Sequence, residues 1–483
     1  MIKTSQSEKK SKGRVYTPDY IVENILDMAH YNGAFILKKH VIDNSCGDGA
    51  FLKEIVKRYC RTAIENNISP DELIIELETY IHGIEIEPVE HKKCLDILNN
   101  LVCEYGLSTA IKWDIICSDA LLVDKYNNKM DFVLGNPPYV RVHNLEDTFD
   151  MAKKYSFAQD GMTDLYIVFY EIGLKMLNKN GILGYITPSS FFNSLAGNYM
   201  RKYLVQENLI EKLVDLKHFQ AFNATTYTTI VVLNKKHSSN KLEYYQFDEK
   251  NLTPYYVETL TPSDYYIANS FYFSEKHNLA LLKNVFLNLG HCQIEVKNGY
   301  ATLCDDVFIG SFPFTSKYII PVIKASRGEA KQIIYPYDKS GKLVNESEIS
   351  KDKELYDYLL DKKTLLLERS SEKKAELYWY AFGRSQALND TYKDKIAINA
   401  LLRTAVDMKI VSAPAGTGVY SGLYLIGDNQ ELTKAKELLK SEEFSTYISL
   451  LGKYKSGGYY TFSSKDIKAY LDYKLAFDGG LLQ

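Results

Sequence analysis

The sequence predicts an α/β protein: a doubly wound, mostly parallel sheet, followed by a second domain of α+β type. Three observations carry this. Short apolar or β-branched runs recur and end in polar residues, as in Val41-Ile42-Asp43, Ile84-Glu85 and Phe132-Val133-Leu134-Gly135-Asn136. Segments with helical spacing of apolar residues fill the intervals, so strand and helix alternate as in βαβ units. The alternation stops at Lys235-Lys236-His237-Ser238-Ser239-Asn240-Lys241, a polar stretch without periodicity, and a boundary there gives domains 1–240 and 241–483.

The first strand, Val41-Ile42-Asp43, runs through Asn44-Ser45-Cys46 into a turn holding Gly47 and Gly49, then into a helix with Phe51, Leu52, Ile55 and Val56 on its apolar face. The glycines let the backbone approach a ligand, and Asp43 at the strand end can meet an ammonium group. Their spacing is not that of nicotinamide enzymes, and on this segment alone a generic α/β turn stays open. A second strand, Ile81 to Ile86, places Glu85 where doubly wound folds bind ribose hydroxyls, with Ile86 beside it to pack on a flat ring. A third, Ile115 to Ala120, ends in Asp119, able to accept from a ring amino group. A fourth delivers Asn136-Pro137-Pro138-Tyr139. Thr163 or Asp164 caps a helix through Phe169; Asn178 to Gly181 reads as a turn, Gly181 to Pro188 as a strand with a helix from about Ser189, and Ile210 to Asp215 as a sixth strand. The segment from Phe219 through Phe222 leads into a last β-branched strand ending near Leu233, where the sheet is expected to be complete.

Composition narrows the class. The 483 residues suffice for two or three cores, and the 46% hydrophobic content includes no run long enough to cross a bilayer, so no membrane partner is expected. Met1 to Arg14 is rich in Lys and Ser and lacks the apolar block of a secretory signal, which points to the cytoplasm. The seven cysteines are scattered without zinc-site spacing or disulfide-scaffold density, so no metal is expected. A formal charge of -3 means that any nucleic-acid binding rests on a local basic face.

The Asn136 turn suits chemistry on a planar, weakly nucleophilic amine. Such a nitrogen shares its lone pair with the ring and attacks poorly until acceptors draw on its hydrogens. The Asn136 carboxamide oxygen and the Pro137 carbonyl can be those acceptors, the two prolines stiffen the turn, and Tyr139 offers a ring face for stacking. By itself the motif also fits a plain rigid turn at a strand end.

Together these segments resemble the gamma class of N6-adenine DNA methyltransferases of the TaqI-like type, in which an upstream segment, a glycine turn, the Asn-Pro-Pro-Tyr turn and a C-terminal specificity domain follow in order. The upstream segment is Gly13-Arg14-Val15-Tyr16-Thr17-Pro18. The resemblance implies a Rossmann-like class I methyltransferase sheet binding S-adenosyl-L-methionine, with Tyr16, Thr17, Asp43, Cys46 and Gly47 at its methionine part, Glu85 at the ribose, and Ile86, Asp119 and Phe169 at the adenine. It makes Asn136, Pro137 and Tyr139 catalytic and has Phe222 stack the extruded adenine opposite Tyr139; Phe219 and Tyr227 compete for that place. Asn44 stands where relatives often have proline. The implied reaction is direct displacement on the sulfonium methyl, without metal or covalent enzyme intermediate, so Cys46 is not a nucleophile.

In the second half, Leu365 to Arg403 interleaves cations with aromatics, and Tyr380, Arg384 and Lys393 are the DNA-binding candidates, with Trp379, Tyr392 and Lys395 nearby. Glu376 to Arg384, Tyr420 to Tyr424 and Lys455 to Phe462 look like the specificity domain, Glu431 to Glu442 reads as a surface helix, and no internal repeat is present. The resemblance implies double-stranded DNA as substrate and a cognate restriction endonuclease as a partner if the enzyme does not act alone. Rival readings are methylation of cytosine N4, of RNA guanine or of protein glutamine, and an inactive DNA-specificity protein.

Overall fold

A computed structural model describes residues 16–107, 111–142, 149–222, 226–369 and 378–478, and the chain divides into two units, Met1–Ala280 and Leu281–Gln483. In the first, strands β1 (Val41–Asp43), β2 (Ile81–Glu85), β3 (Asp114–Cys117), β4 (Met130–Gly135), β5 (Leu177–Pro188), β6 (Ile210–Asp215), β7 (Thr228–Asn234), β8 (Leu242–Asp248) and β9 (Thr253–Leu260) form one sheet. Their order is β3-β2-β1-β4-β5-β7-β6-β8-β9. The pairs β1–β2, β2–β3, β1–β4, β4–β5 and β6–β8 are parallel, whereas β7 runs antiparallel between β5 and β6, and β9 antiparallel to β8. The sheet is therefore large and mostly parallel, as its sequence predicts. Strand order reverses at β1, the place where open α/β sheets leave a crevice at their carboxyl ends.

Alternation along the strands explains why both faces are covered. Phe132, Leu134, Ile182, Ile186, Ile230 and Val232 join one buried cluster, and their neighbours Val133, Leu183, Tyr185, Val231 and Leu233 join the other. Side chains two apart share a face, so strands buried on both sides read as continuous apolar runs. Helix α1 (Asp19–Met28) and helix α2 (Ala50–Glu65) bury Ile21, Ile25, Phe51, Leu52 and Ile55 against the first cluster. Helix α3 (Leu165–Met176), almost wholly buried, packs in the second.

Four expectations change. The sheet does not end near Leu233: Lys212–Asp215 of β6 pairs in parallel with Glu243–Gln246 of β8, and β9 adds to β8. The polar stretch 235–241 is a connection within the sheet, and the division falls at Ala280/Leu281, inside helix Lys276–Leu287, rather than at 240. Residues 178–181 are not a free turn but leave the β4–β5 ladder, which steps from Met130↔Leu177 directly to Phe132↔Ile182. After β5, the segment Ser189–Phe192 forms a single 3-10 turn, and the helix begins at Asn198.

The second unit is of α+β type. Glu295–Asn298, Leu423–Ile426, Lys395–Ile398 and Ile410–Ala413 make one antiparallel sheet, a second four-stranded sheet includes Ile319–Lys324 and Glu329–Ile334, and Leu401–Leu402, Tyr454–Lys455 and Tyr459–Thr461 form a third. Its helices include Asn429–Leu439, close to the expected surface helix. Among the described residues no helix is long and apolar enough to cross a membrane.

Candidate active site

The carboxyl ends of β1, β2 and β4, with Ser118 and Asp119 just beyond β3, open onto one cavity of about 350 Å³. Tyr16, Thr17, Asp43, Cys46, Gly47, Glu85, Ile86, Asp119, Asn136, Pro137, Tyr139 and Phe169 all line it. Most of them end or follow adjacent strands, whereas Tyr16 and Thr17 come just before helix α1 and Phe169 lies within helix α3. Ser45, Asp48, Glu87, Glu90 and Ser118 also line it without having been singled out. The usable sequence signal for most of them was position alone, one or two residues past a strand end.

The floor holds two carboxyls. Asp43 is buried, and its Oδ1 accepts the Ser45 N–H at 3.0 Å; burial pushes its pKa up to about 8, with the nearby Glu85 charge adding to the rise. Gly135 must be glycine for this packing, since a Cβ there would sit 2.6 Å from Asp43 Oδ1. Glu85 takes the Gly47 N–H on Oε2 at 2.9 Å and the Glu87 N–H on Oε1 at 2.8 Å, which ties the glycine turn to β2. Gly49 has a φ of +96°, and a Cβ there would stand 2.8 Å from Cys94 Sγ. The Cys46 thiol is pushed well up by its contact with Cys94 and by burial, so it is no thiolate nucleophile at neutral pH. Asn44 has a structural explanation: its Oδ1 accepts the Tyr185 hydroxyl at 2.9 Å in the buried face of the sheet. Ile86, 57% exposed, and Phe169, buried, give the cavity flat apolar surfaces, while Asp119 Oδ1 accepts the Leu121 N–H at 2.9 Å.

Asn136 is gripped from two sides. Its Nδ2 donates to Thr17 Oγ1 at 3.0 Å, and its backbone carbonyl accepts the Ser45 hydroxyl at 3.3 Å. Its Oδ1 is buried yet has no hydrogen-bond partner. Tyr139 donates its hydroxyl to the Ile186 carbonyl at 3.0 Å, which fixes the ring, and burial pushes that phenol far above its usual range. Phe222 lies edge-on to Tyr139, with centroids 6.2 Å apart at 71°. Phe219 is instead stacked on Phe247 at 4.8 Å, and Tyr227 packs edge-on to His218, so Phe222 is the one of the three beside the turn. The two rings leave no parallel slot in this conformation. Residues 13–15 of the upstream segment and 223–225 after Phe222 lie outside the described residues.

The second-unit candidates separate. Tyr380 is corrected: its ring is buried at 3% exposure and its hydroxyl donates to the Val344 carbonyl at 2.7 Å, so it belongs to the core with Trp379. Arg384 is exposed. Lys393 is exposed but ion-paired with Asp390 at 2.7 Å. Lys395 is buried, its ammonium donating to the carbonyls of Asp390, Thr391 and Lys393, and burial lowers its pKa to about 8. Glu376 and Leu377 lie outside the described residues. Among those described, no group of three or more His, Cys, Asp or Glu side chains is placed to hold a metal.

Comparison with known proteins finds restriction-modification methylases among the relatives. The model of the Eco57I restriction-modification methylase family matches residues 57–222. The Type II methyltransferase M.BstVI of Geobacillus stearothermophilus is 27% identical over 435 residues, covering 78% of this chain and 75% of that protein. The Type II restriction enzyme and methyltransferase RM.Eco57I of Escherichia coli is 23% identical over 518 residues; 84% of this chain is covered, and the chain spans 51% of that protein's length. The Type IIL restriction-modification enzyme MmeI, solved in complex with DNA, shares the fold with a TM-score of 0.60 at 15% identity, over 92% of this chain and 63% of that one. The chain is homologous to Type II methyltransferases of restriction-modification systems, for which S-adenosylmethionine is the methyl donor. The cavity fits such a donor in size, in its paired buried carboxyls and in its flat apolar walls.

Proposed function

We propose that this chain is a gamma-class, TaqI-like methyltransferase that moves a methyl group to N6 of an adenine extruded from double-stranded DNA, serving a restriction-modification system with a cognate endonuclease or acting alone. The observation that carries this is Asn136, whose carboxamide is clamped through Nδ2 while Oδ1 stays buried and unpartnered. A buried acceptor without a donor costs about 1–3 kcal/mol. Such a group is kept where a ligand supplies the missing N–H, and here the donor is the target amino group.

S-adenosylmethionine supplies an electrophilic methyl on a sulfonium. Asp43, Tyr16 and Thr17 would hold its methionine end, Glu85 its ribose, and Ile86, Phe169 and Asp119 its adenine ring. Asn136 Oδ1 and the Pro137 carbonyl would accept hydrogen bonds from the two N–H groups of the target amine, which makes the nitrogen lone pair available to the sulfonium methyl; the C–S electron pair leaves with the sulfur as the thioether, and the methylated nitrogen sheds one proton to solvent. Phe222 swings from its edge-on position to face Tyr139 across the extruded base, restoring part of the stacking lost on extrusion, about 1–3 kcal/mol per aromatic face. Cytosine C5 chemistry is disfavoured because it needs a thiolate, and the Cys46 thiol is held protonated. Leu281–Gln483 reads the target sequence.

Asn136→Ala should lower methyl transfer to DNA by about 100-fold or more while S-adenosylmethionine binds within a few-fold of wild type, by analogy with the loss of one preorganised hydrogen-bond partner. Labelled cofactor offered to DNA, RNA and protein is the assay. Label appearing only in RNA or protein, or full turnover by the variant, defeats the proposal.

A further inference from the structure

Two large apolar side chains are bare at neighbouring tips on the catalytic edge of the first unit: Met162 is 70% exposed and Leu195 68%. Single exposed apolar residues are ordinary. These two lie on turns that abut, because a Cβ on Gly161 would stand 3.2 Å from the Ala196 nitrogen and 3.5 Å from Leu195 Cβ. Both turns are built rigidly. Asn198 Nδ2 donates to Asp160 Oδ2 at 3.0 Å, joining one turn to the other. The buried guanidinium of Arg201 donates to the carbonyls of Phe191 and Ser194 at 2.6 and 2.8 Å, which fixes the turn that carries Leu195.

The Met162 turn is also tied to the catalytic corner. Leu165 N–H donates to the Val140 carbonyl at 2.7 Å and Val142 N–H to the Thr163 carbonyl at 3.0 Å, so a short antiparallel ribbon runs from Tyr139 to Met162. Tyr166, in the first turn of helix α3 just past that ribbon, packs edge-on to Tyr139 and hydrogen-bonds Ser190 at the foot of the Leu195 turn. Arg141 is exposed on the same ribbon, a charge suited to a phosphate strand. A rigid apolar pair beside a site that must receive an extruded base has the chemistry of a wedge, since unbranched and branched aliphatic side chains fill the gap left between base steps.

We propose that Met162 and Leu195 form the wedge that enters the duplex where the target adenine leaves, holding the base in the extruded state. This rests on the DNA-methylation reading. The pair are positioning residues that touch neighbouring base pairs, not the reacting atoms.

The test compares wild type, the double variant Met162→Ala with Leu195→Ala, and the conservative exchange Met162→Leu with Leu195→Met. Each is given a duplex carrying the mapped target and the same duplex with the target adenine already unpaired opposite an abasic site. Truncating exposed side chains seldom unfolds a protein, and cofactor binding checks this. The double alanine variant should lose about tenfold or more in single-turnover rate, and in the fluorescence of 2-aminopurine at the target, on the paired duplex, because unstacking is then unsupported. On the unpaired duplex it should run within about threefold of wild type, and the conservative exchange should restore the paired rate. No loss, or an equal loss on both duplexes, overturns the wedge. A wild type inert on every duplex overturns the methylation reading and the wedge with it, whereas an active wild type with unaffected variants overturns the wedge alone.

Discussion

Asp43 sits where burial outweighs the single N–H that its Oδ1 accepts, so its pKa is pushed up to about 8. An unfolded chain ionises the same carboxyl near pH 4. Between about pH 4 and pH 8 the native state therefore carries a proton that the unfolded chain has lost, and this residue's contribution to stability falls as pH rises through that window. A cationic ammonium beside Asp43 reverses the preference by favouring the carboxylate. Binding of S-adenosylmethionine should then expel a proton, and its affinity should rise by up to about tenfold per pH unit between about pH 6 and pH 8. Calorimetry in two buffers of different ionisation enthalpy measures the release, which Asp43→Asn should abolish; a wild type that releases nothing places the ammonium elsewhere. Position at the strand end was enough to nominate Asp43 from sequence. Its protonation was not readable, because the burial depends on Gly135 from another strand, whose missing Cβ lets the backbone close over the carboxyl. Tyr380 shows the converse: cations interleaved with aromatics looked like a surface, but sequence does not say which way a ring points, and this one points into the core.

At the scale of strands, the two ends of the sheet were unequally legible. Carboxyl ends announced themselves where an apolar run met an Asp, Glu or Asn. The amino ends of β1, β2 and β3 hide a second polar chain that only pairing assembles. His40 Nδ1 lies 2.9 Å from His82 Nε2, His82 Nδ1 lies 2.8 Å from Asp114 Oδ2, and Lys125 pairs with Asp114 at 2.7 Å. Tyr80 and Tyr126 pack on the two imidazoles, and Asp131 accepts the His40 N–H. Burial pushes His82 down to about 4, while Lys125 and His82 hold Asp114 below the usual carboxylate range despite its partial burial. Both shifts act in the same direction. A native His82 that stays neutral binds fewer protons than the unfolded chain between about pH 6.5 and pH 4, so stability is lost as pH falls through that window, by up to about 1.4 kcal/mol per unit. Asp114 adds to the loss below about pH 4. Thermal melts from pH 7 to 4.5 should accordingly drop less steeply for His82→Gln than for wild type, and parallel curves would show that the ring titrates normally. The boundary expected at 240 failed for a related reason. Leu242–Asp248 alternates buried and partly buried residues as a sheet strand does, but its polar lead-in masked a strand whose partner, β6, lies across the intervening β7 in sequence.

For the molecule as a whole, a formal charge of -3 supplies no general attraction to a polyanion, so sequence-selective binding has to come from a particular face. Under the proposed function that reading falls to Leu281–Gln483, which has its own buried cluster around Phe308, Tyr335, Trp379 and Phe382. A unit with its own core can be exchanged without dismantling its neighbour. Where the exchange is cut decides the result. Joined at Ala280, inside helix Lys276–Leu287, a chimera with the corresponding segment of M.BstVI keeps all nine strands of the sheet and should methylate the sequence set by the incoming segment. Joined at Lys241, it exchanges β8 and β9, including Tyr244, which is fully buried and stacked on Phe273, and should lose stability because foreign side chains must fill a core shaped for these. Long-read mapping of modified adenines in cells expressing each chimera reads the target, and melts of the purified proteins read the sheet. A chimera cut at Ala280 that still marks the original sequence would place recognition in the first unit, and a stable, active chimera cut at Lys241 would show that β8 and β9 travel with the second unit.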